Sequence, residues 1–329
     1  MAEYVGVSEA TVSRVLNGKP GISEATRTAV LTALDVLGYE RPSKLRGGRA
    51  RLVGLALPEL QNPIFPAFAE VVAGALAKRG LTPVLCTRTV EGLSEADYVD
   101  MLLGQHVSGV IFAGGNYAQA TADHGHYRRL FDRGLPVVLV NAGIDDLKLP
   151  IVATDDAHAV VQAHGHLTTL GHRRIGLVLG PSDHVPSSRK LAAYLGLSHG
   201  GAEHGDLVER TMFSMEGGHA AAIRLIRRGA TGLICASDVI ALGAIRAVRR
   251  LGMSVPGDVS IVGYDDSSFM ACTDPPLTTI RQPIDAMGQA AVALLGSQIA
   301  GNVVPTDELV FEPDLVVRGS TGPARSQAT

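Results

Sequence analysis

The stretch Gly6-Val7-Ser8-Glu9-Ala10-Thr11-Val12-Ser13-Arg14-Val15-Leu16-Asn17-Gly18 decides how this chain is read. Gly6 suits the positive φ of a tight corner between helices. Ser8 is placed to cap a helix, because its hydroxyl can accept a bond from a free amide one turn later. Val12, Val15 and Leu16 recur at helical spacing and form one apolar stripe. The opposite face carries Glu9, Ala10, Ser13 and Arg14, which are small or hydrogen-bonding. Such a face fits a major groove, where arginine pairs with guanine and hydroxyls bind phosphate. The pattern reads as a helix-turn-helix with Ser8 to Leu16 as the recognition helix. An ordinary amphipathic surface helix would carry the same stripe.

Charge is distributed as the first of these readings requires. Residues 1–51 hold eight Lys/Arg against five Asp/Glu, a balance of +3 that leaves −6 on the rest of a chain whose total is −3. Arg41, Lys44, Arg46, Arg49 and Arg51 follow one another with no intervening acid. A basic head on an acidic body is what phosphate contact by one end demands. At 329 residues the chain can build two or three domains, and 46% hydrophobic with 19% charged residues excludes a disordered one. No apolar run reaches the ~18 residues of a membrane span. No basic-then-apolar leader opens the chain. Cys86, Cys235 and Cys272 stand alone, without C-x-x-C spacing. That argues against a disulfide framework or a zinc site and for the cytoplasm.

Ser23-Glu24-Ala25-Thr26-Arg27 starts a further helix, with Val30, Leu31, Leu34 and Leu37 on its apolar side and Gly38 closing it. Beyond residue 51 short Val/Ile/Leu-rich runs alternate with helical stretches: Leu52–Leu57, Pro83–Cys86, Gly109–Ala113, Pro136–Val140, Ile175–Leu179, Gly232–Ala236 and Val259–Gly263. This is the rhythm of buried parallel strands in βαβ units. Four runs make a first lobe, and Asp155-Asp156 marks a crossover. The segment from Leu170 builds a second lobe, 277–283 returns, and 309–318 crosses a third time. Ligands of such sheets lie outside the carboxyl ends of the strands. Asn62, Ser237, Asp238, Asp265 and Gln282 fall there or on crossovers, a set suited to a polyhydroxylated ligand. Ile64 and Phe65 can pack on the apolar face of a sugar ring.

Asp265 and Asp266 are adjacent at a strand end and should point apart, so they make no catalytic acid pair. His124, His126, His164, His166 and His172 lack metal spacing and are expected as solvated groups. No G-x-G-x-x-G or phosphate-cradling loop occurs. No catalytic, metal or cofactor constellation is expected, and therefore no enzyme.

The opening motif resembles that of the lac repressor (LacI/GalR-type) family. The similarity continues through Leu37-Gly38-Tyr39, 58–65, 171–175, Cys235-Ala236-Ser237-Asp238, 255–266 and 275–283, covering nearly the whole chain. The resemblance implies a small all-α helix-turn-helix head, 1–40, whose first helix is shortened, and a basic hinge, 41–51. It also implies an α/β core, 52–329, of two doubly wound parallel-sheet lobes like those of periplasmic binding proteins. The N-lobe spans about 52–155 plus 281–300 and the C-lobe about 156–278 plus 309–318. Met1 stands where the family carries an internal valine, which implies a start read from an internal GTG codon.

DNA contact is assigned to Ser8, Glu9, Ala10, Thr11, Ser13, Arg14, Asn17 and Ser23. Leu45 of Leu45-Arg46-Gly47-Gly48-Arg49 matches the family's minor-groove wedge, with Arg46 beside it. The segment from Tyr39 to Leu45 is shorter than usual, so the hinge is reshaped. The cleft arginine of the family falls at Lys190 in ungapped register, with Arg189 next to it, and either side chain fits. Serine at 237 replaces the usual asparagine.

The resemblance implies a sugar-released repressor. It would bind a palindromic operator as a homodimer or higher assembly in the cytoplasm, on the nucleoid when bound, with no membrane association. The stretches 82–87, 191–193 and 216–218 resemble the actinobacterial maltose-utilisation repressors and imply a maltodextrin-like effector. A transporter's sugar-binding protein would share the core without the head, and a sugar-converting enzyme would show turnover.

Overall fold

The computed structural model describes residues 2–16, 19, 21–36, 51–88, 92–197 and 205–325. Asn17, Leu45 and Arg46 lie outside the described residues. The chain divides into two compact units at Arg51–Leu52.

The first unit holds α1 (Ala2–Val5), α2 (Glu9–Leu16) and α3 (Glu24–Val36). Gly6 takes φ +70° at the corner between α1 and α2, a conformation that costs glycine little. Ser8 Oγ accepts from Thr11 N at 3.1 Å, and Ser23 Oγ accepts from Thr26 N at 3.2 Å. Each caps its helix, worth about 1 kcal/mol. Val12, Val15 and Val30 form the core, joined by parts of Val5, Val7, Leu16 and Ile22.

The second unit has two sheets. The first is ordered β11-β5-β4-β3-β1-β2, from β1 (Arg51–Leu57), β2 (Leu81–Thr87), β3 (Gly109–Phe112), β4 (Val137–Val140), β5 (Ile151–Thr154) and β11 (Glu308–Phe311). The second is ordered β12-β10-β9-β8-β6-β7, from β6 (Ile175–Leu179), β7 (Val208–Arg210), β8 (Gly232–Cys235), β9 (Ser260–Asp265), β10 (Thr278–Arg281) and β12 (Asp314–Val316). Parallel pairing dominates both, and β12 runs antiparallel to β10.

Strand periodicity builds both faces of the first lobe. Val53, Leu55 and Leu57 pack with Phe68 and Val72 of α4 (Ile64–Ala77) and Met287 and Val292 of α11 (Ile284–Ile299). Ala56, Val110 and Phe112 face the other way, onto Tyr98 of α5 (Glu95–Gly104) and Tyr127 of α6 (Gly125–Asp132). In the second lobe α7 (Asp156–Thr169), α8 (Val185–Gly196), α9 (Met215–Arg227) and α10 (Asp238–Arg250) enclose one continuous core.

Each of the seven apolar runs falls on a strand, overshooting it by at most one residue. Among the described strands five have no such run: β10, β11 and β12 fall on the crossings expected at 277–283 and 309–318, and β5 and β7 have no expected counterpart. β5 is only Ile-Val-Ala-Thr, and β7 is a half-buried Val-Glu-Arg edge strand. The third crossing is divided, not wholly in the second lobe. β11 pairs with β5 in the first sheet and β12 with β10 in the second.

Glycine sets how closely α9 and α10 approach. A Cβ on Gly243 would stand 2.1 Å from the Met215 carbonyl, and one on Gly218 would stand 2.2 Å from the Ile240 carbonyl. Backbone cannot yield as a side chain does. Gly243→Ala should therefore lower core stability by about 1–3 kcal/mol, read as a lower thermal midpoint. An unchanged midpoint would mean the helices separate at no cost.

Candidate ligand cavity

The cavity between the lobes encloses about 460 Å³, within the ~300–1,000 Å³ of small-molecule sites. Its wall is supplied by the carboxyl ends of successive strands. Asn62 follows β1, Arg88 β2, Asn116 β3, Asn141 β4 and Asp156 β5. On the second lobe His184 follows β6, Phe213 β7 and Ser237 β8. Asp265 ends β9, and Gln282 follows β10.

Asp265 is the hub. It is 5% exposed, with φ +121°. Its Oδ1 accepts from Gln282 Nε2 at 2.7 Å and its Oδ2 from Asn62 Nδ2 at 3.3 Å. Gln282 Oε1 in turn accepts from Thr154 Oγ1 at 2.9 Å and from Asn141 Nδ2 at 3.3 Å. Burial, and then the neighbouring Asp238, push the Asp265 carboxyl well above the usual carboxylate range. Asp266 turns the other way, to Arg281 and Arg318 at 2.7 Å each, so the two acids do point apart.

A second group surrounds Lys190. Its ammonium pairs with Asp156 and lies 3.9 Å from the centroid of the Tyr264 ring. The Tyr264 hydroxyl donates to Asp156 Oδ1 at 3.2 Å. Burial, then the Asp156 charge, raise the tyrosine well above its ordinary value. Ile64, Phe65, Phe68 and Phe213 supply apolar wall.

Of the residues expected in the cleft, Asn62, Ile64, Phe65, Lys190, Ser237, Asp265 and Gln282 line this cavity. Two do not. Arg189 turns away and pairs with Glu308 at 2.6 Å, so Lys190 is the cleft cation of the two. Asp238 is fully buried and committed to Thr279 Oγ1 (2.6 Å) and Ser267 N (2.8 Å). It braces α10 against the loop after β9, and burial raises its carboxyl to about 6. Ser237 has a second duty, because its Oγ caps α10 by accepting from Ile240 N at 3.2 Å. Sequence reasoning missed Arg88, Glu95, Asn116, Asn141, Asp156 and His184. The rule that found Asn62 would have found most of them, had it been applied to the end of every strand. The histidines also depart from expectation: His126 and His172 are buried and hydrogen-bonded, not solvated.

On the head, Ser8, Glu9, Ala10, Ser13, Arg14 and Ser23 are exposed and Thr11 is half-buried. Ser8 and Ser23 are helix caps.

A family model described as bacterial regulatory proteins, lacI family, matches residues 1–42, and a periplasmic binding protein-like domain matches 164–321. The transcriptional regulator MalR of Streptomyces coelicolor is 52% identical over 331 residues, covering 98% of this chain and 96% of MalR. The chain belongs to the lacI family. Among solved structures, the CelR–cellobiose complex is 33% identical with a TM-score of 0.74, covering 97% of this chain and 98% of that one. The lac repressor dimer bound to operator and an anti-inducer is 28% identical with a TM-score of 0.71, covering 98% and 97%. This chain is thus a DNA-binding transcriptional regulator, not an enzyme.

The regulator's His184 gives a pH signature. Its Nδ1 lies 2.9 Å from Ser187 Oγ. Burial, then Lys190, lower it from 6.5 to about 4. Between those values the unfolded imidazole binds a proton that the folded one refuses. Stability should therefore fall as pH drops from 6.5 towards 4, by a few kcal/mol at most. His184→Gln should flatten that part of a stability–pH curve measured in urea, and an unchanged slope would place its cause elsewhere.

Proposed function

We propose that this regulator is a repressor released from its operator by a neutral sugar of maltodextrin type, acting in the cytoplasm. The observation that carries the reading is the polar ring around the cavity. Asp, Asn and Gln groups that both donate and accept stand beside aromatic walls, as a sugar's hydroxyls and apolar ring faces require. MalR's name supports maltose, and the bound cellobiose of CelR supports a glucan-type sugar. The dimer of the lac repressor on its operator supports a homodimer on a palindromic site, since one head covers half a site. In this reading Ser8, Glu9, Ala10, Thr11, Ser13, Arg14, Asn17 and Ser23 meet the operator, and Leu45 and Arg46 meet its centre. Ligand in the cavity changes the angle between the lobes and weakens operator affinity by ~1–3 kcal/mol of coupling.

The test is a gel shift with DNA upstream of the regulator's own coding region, with and without maltose, maltotriose and longer maltodextrins. Release by one of them is expected. Binding that no sugar disturbs would remove the maltose assignment, and absence of binding would remove the operator. Arg14→Ala should lose discrimination between operator and scrambled DNA while sugar binding persists; retained discrimination would take Arg14 out of base readout. Asp265→Asn keeps a residue type that tolerates positive φ but sets an amide against the donors of Gln282 and Asn62. It should stay on operator at sugar concentrations that release the parent protein, and normal release would refute the placement of the sugar beside Asp265.

A further inference from the structure

Glu95 is a buried carboxylate in the cavity wall that takes part in neither the Asp265 ring nor the Lys190–Asp156 pair. It is 4% exposed and opens α5, where free amides present positive charge. His126 Nε2 lies 2.9 Å from Oε1, and Asn116 N donates to Oε2 at 3.1 Å. The Tyr98 hydroxyl also engages the carboxylate. Gly115 has φ +141°, and a Cβ there would stand 2.4 Å from Oε2. Glycine is what lets the 114–116 loop come this close to the charge. Three elements thus converge to hold one carboxylate at the wall of the cavity. A carboxylate offers about four acceptor positions, more than its three protein partners occupy.

We infer that Glu95 is a ligand contact that accepts hydrogen bonds from the hydroxyls of a neutral sugar and turns away sugars bearing phosphate or carboxylate. The inference rests on the sugar reading above and names the charge class within it. Among the described residues, the ionisable acids and amines that are both buried and in the wall are Glu95, Asp156, Asp265 and Lys190. Burial pushes the Asp265 carboxyl up, which leaves the carboxylates of Glu95 and Asp156 against one ammonium, and that ammonium is already engaged by Asp156 and the Tyr264 ring. Arg88, the other cation of the wall, is exposed. An anionic sugar group in the interior would meet like charge in a medium that screens it poorly.

The test is calorimetric titration of the full chain and its Glu95→Gln variant with maltose, cellobiose and the 6′-phosphate of each. Thermal midpoints report folding. The parent protein should bind a neutral disaccharide and discriminate against its phosphate. Glu95→Gln should bind the neutral sugar ~10–100-fold more weakly, and the discrimination should shrink by at least 10-fold. Glu95→Asp, which keeps the charge, should weaken the neutral sugar yet keep the discrimination, and it serves where the glutamine variant fails to fold. Equal losses for neutral and phosphorylated sugars would make Glu95 a support of the wall and overturn the contact. An unchanged affinity for the neutral sugar would overturn it too. A parent protein that binds neither disaccharide, and that maltotriose and longer maltodextrins also leave on its operator, would remove the sugar reading itself, and with it this inference.

Discussion

The second unit is organised around a carboxylate that sits between its two lobes. Asp265 takes amide donors from Asn62, on the first lobe, and from Gln282, just after β10. Gln282 passes the connection to Thr154 and Asn141 at the ends of β5 and β4. Five strand ends and two sheets are therefore tied through one buried hydrogen-bonded ring. Partly broken, such a ring is costly, because each polar group left unpaired keeps its full desolvation penalty of about 1–3 kcal/mol. Only a partner that replaces those bonds with its own can enter cheaply, and a ligand rich in hydroxyls is such a partner. In the sugar reading proposed above, the ring that holds the lobes is also the element the ligand acts on.

The lobes also meet away from the ring. Ala120 N donates to the Asp183 carbonyl at 2.8 Å, and Thr121 Oγ1 donates to Asp183 Oδ2 at 3.0 Å. Arg189 reaches Glu308 of β11 at 2.6 Å. Thr121, Asp183 and Arg189 all lie near the surface, where a single ion pair contributes ~0–1 kcal/mol. Opening the cavity at these contacts costs far less than dismantling the ring. The fold thus has a stiff joint at Asp265 and weak closures elsewhere, an arrangement that permits a change of angle without loss of either lobe.

What the sequence made legible follows from the size of each signal. The buried parallel strands declare themselves because both faces are apolar, which leaves continuous runs such as Ile175–Leu179. β5 and β7 carry no such run: one is four residues long, and the other is an edge strand with a Glu and an Arg among three residues. The division of 309–318 between the sheets depends on which strands lie beside it, which no local pattern encodes. The choice between Arg189 and Lys190 is of the same kind. Both stand on α8, and adjacent helical residues point about 100° apart, so one faces the cavity and the other Glu308. Register put Lys190 at the family's arginine position but left the choice with Arg189 open; the direction in which each side chain turns decides it. Asp238 misled because an acid at a strand end looks the same whether it faces a ligand or braces a loop; only the donors around it, Thr279 and Ser267, decide.

The head shows what DNA recognition costs a small unit. Of the eight residues of α2, Val12 and Val15 are buried, while Glu9, Ala10, Ser13 and Arg14 face outward. Each residue left facing outward is one withheld from the core, and in a unit this small burial barely offsets chain entropy. Two serine caps, at about 1 kcal/mol each, are then a large share of the balance and not a refinement. A unit so close to its threshold is stabilised by whatever binds its folded form. In a DNA-binding regulator DNA is such a partner, so binding it also stabilises the folded head.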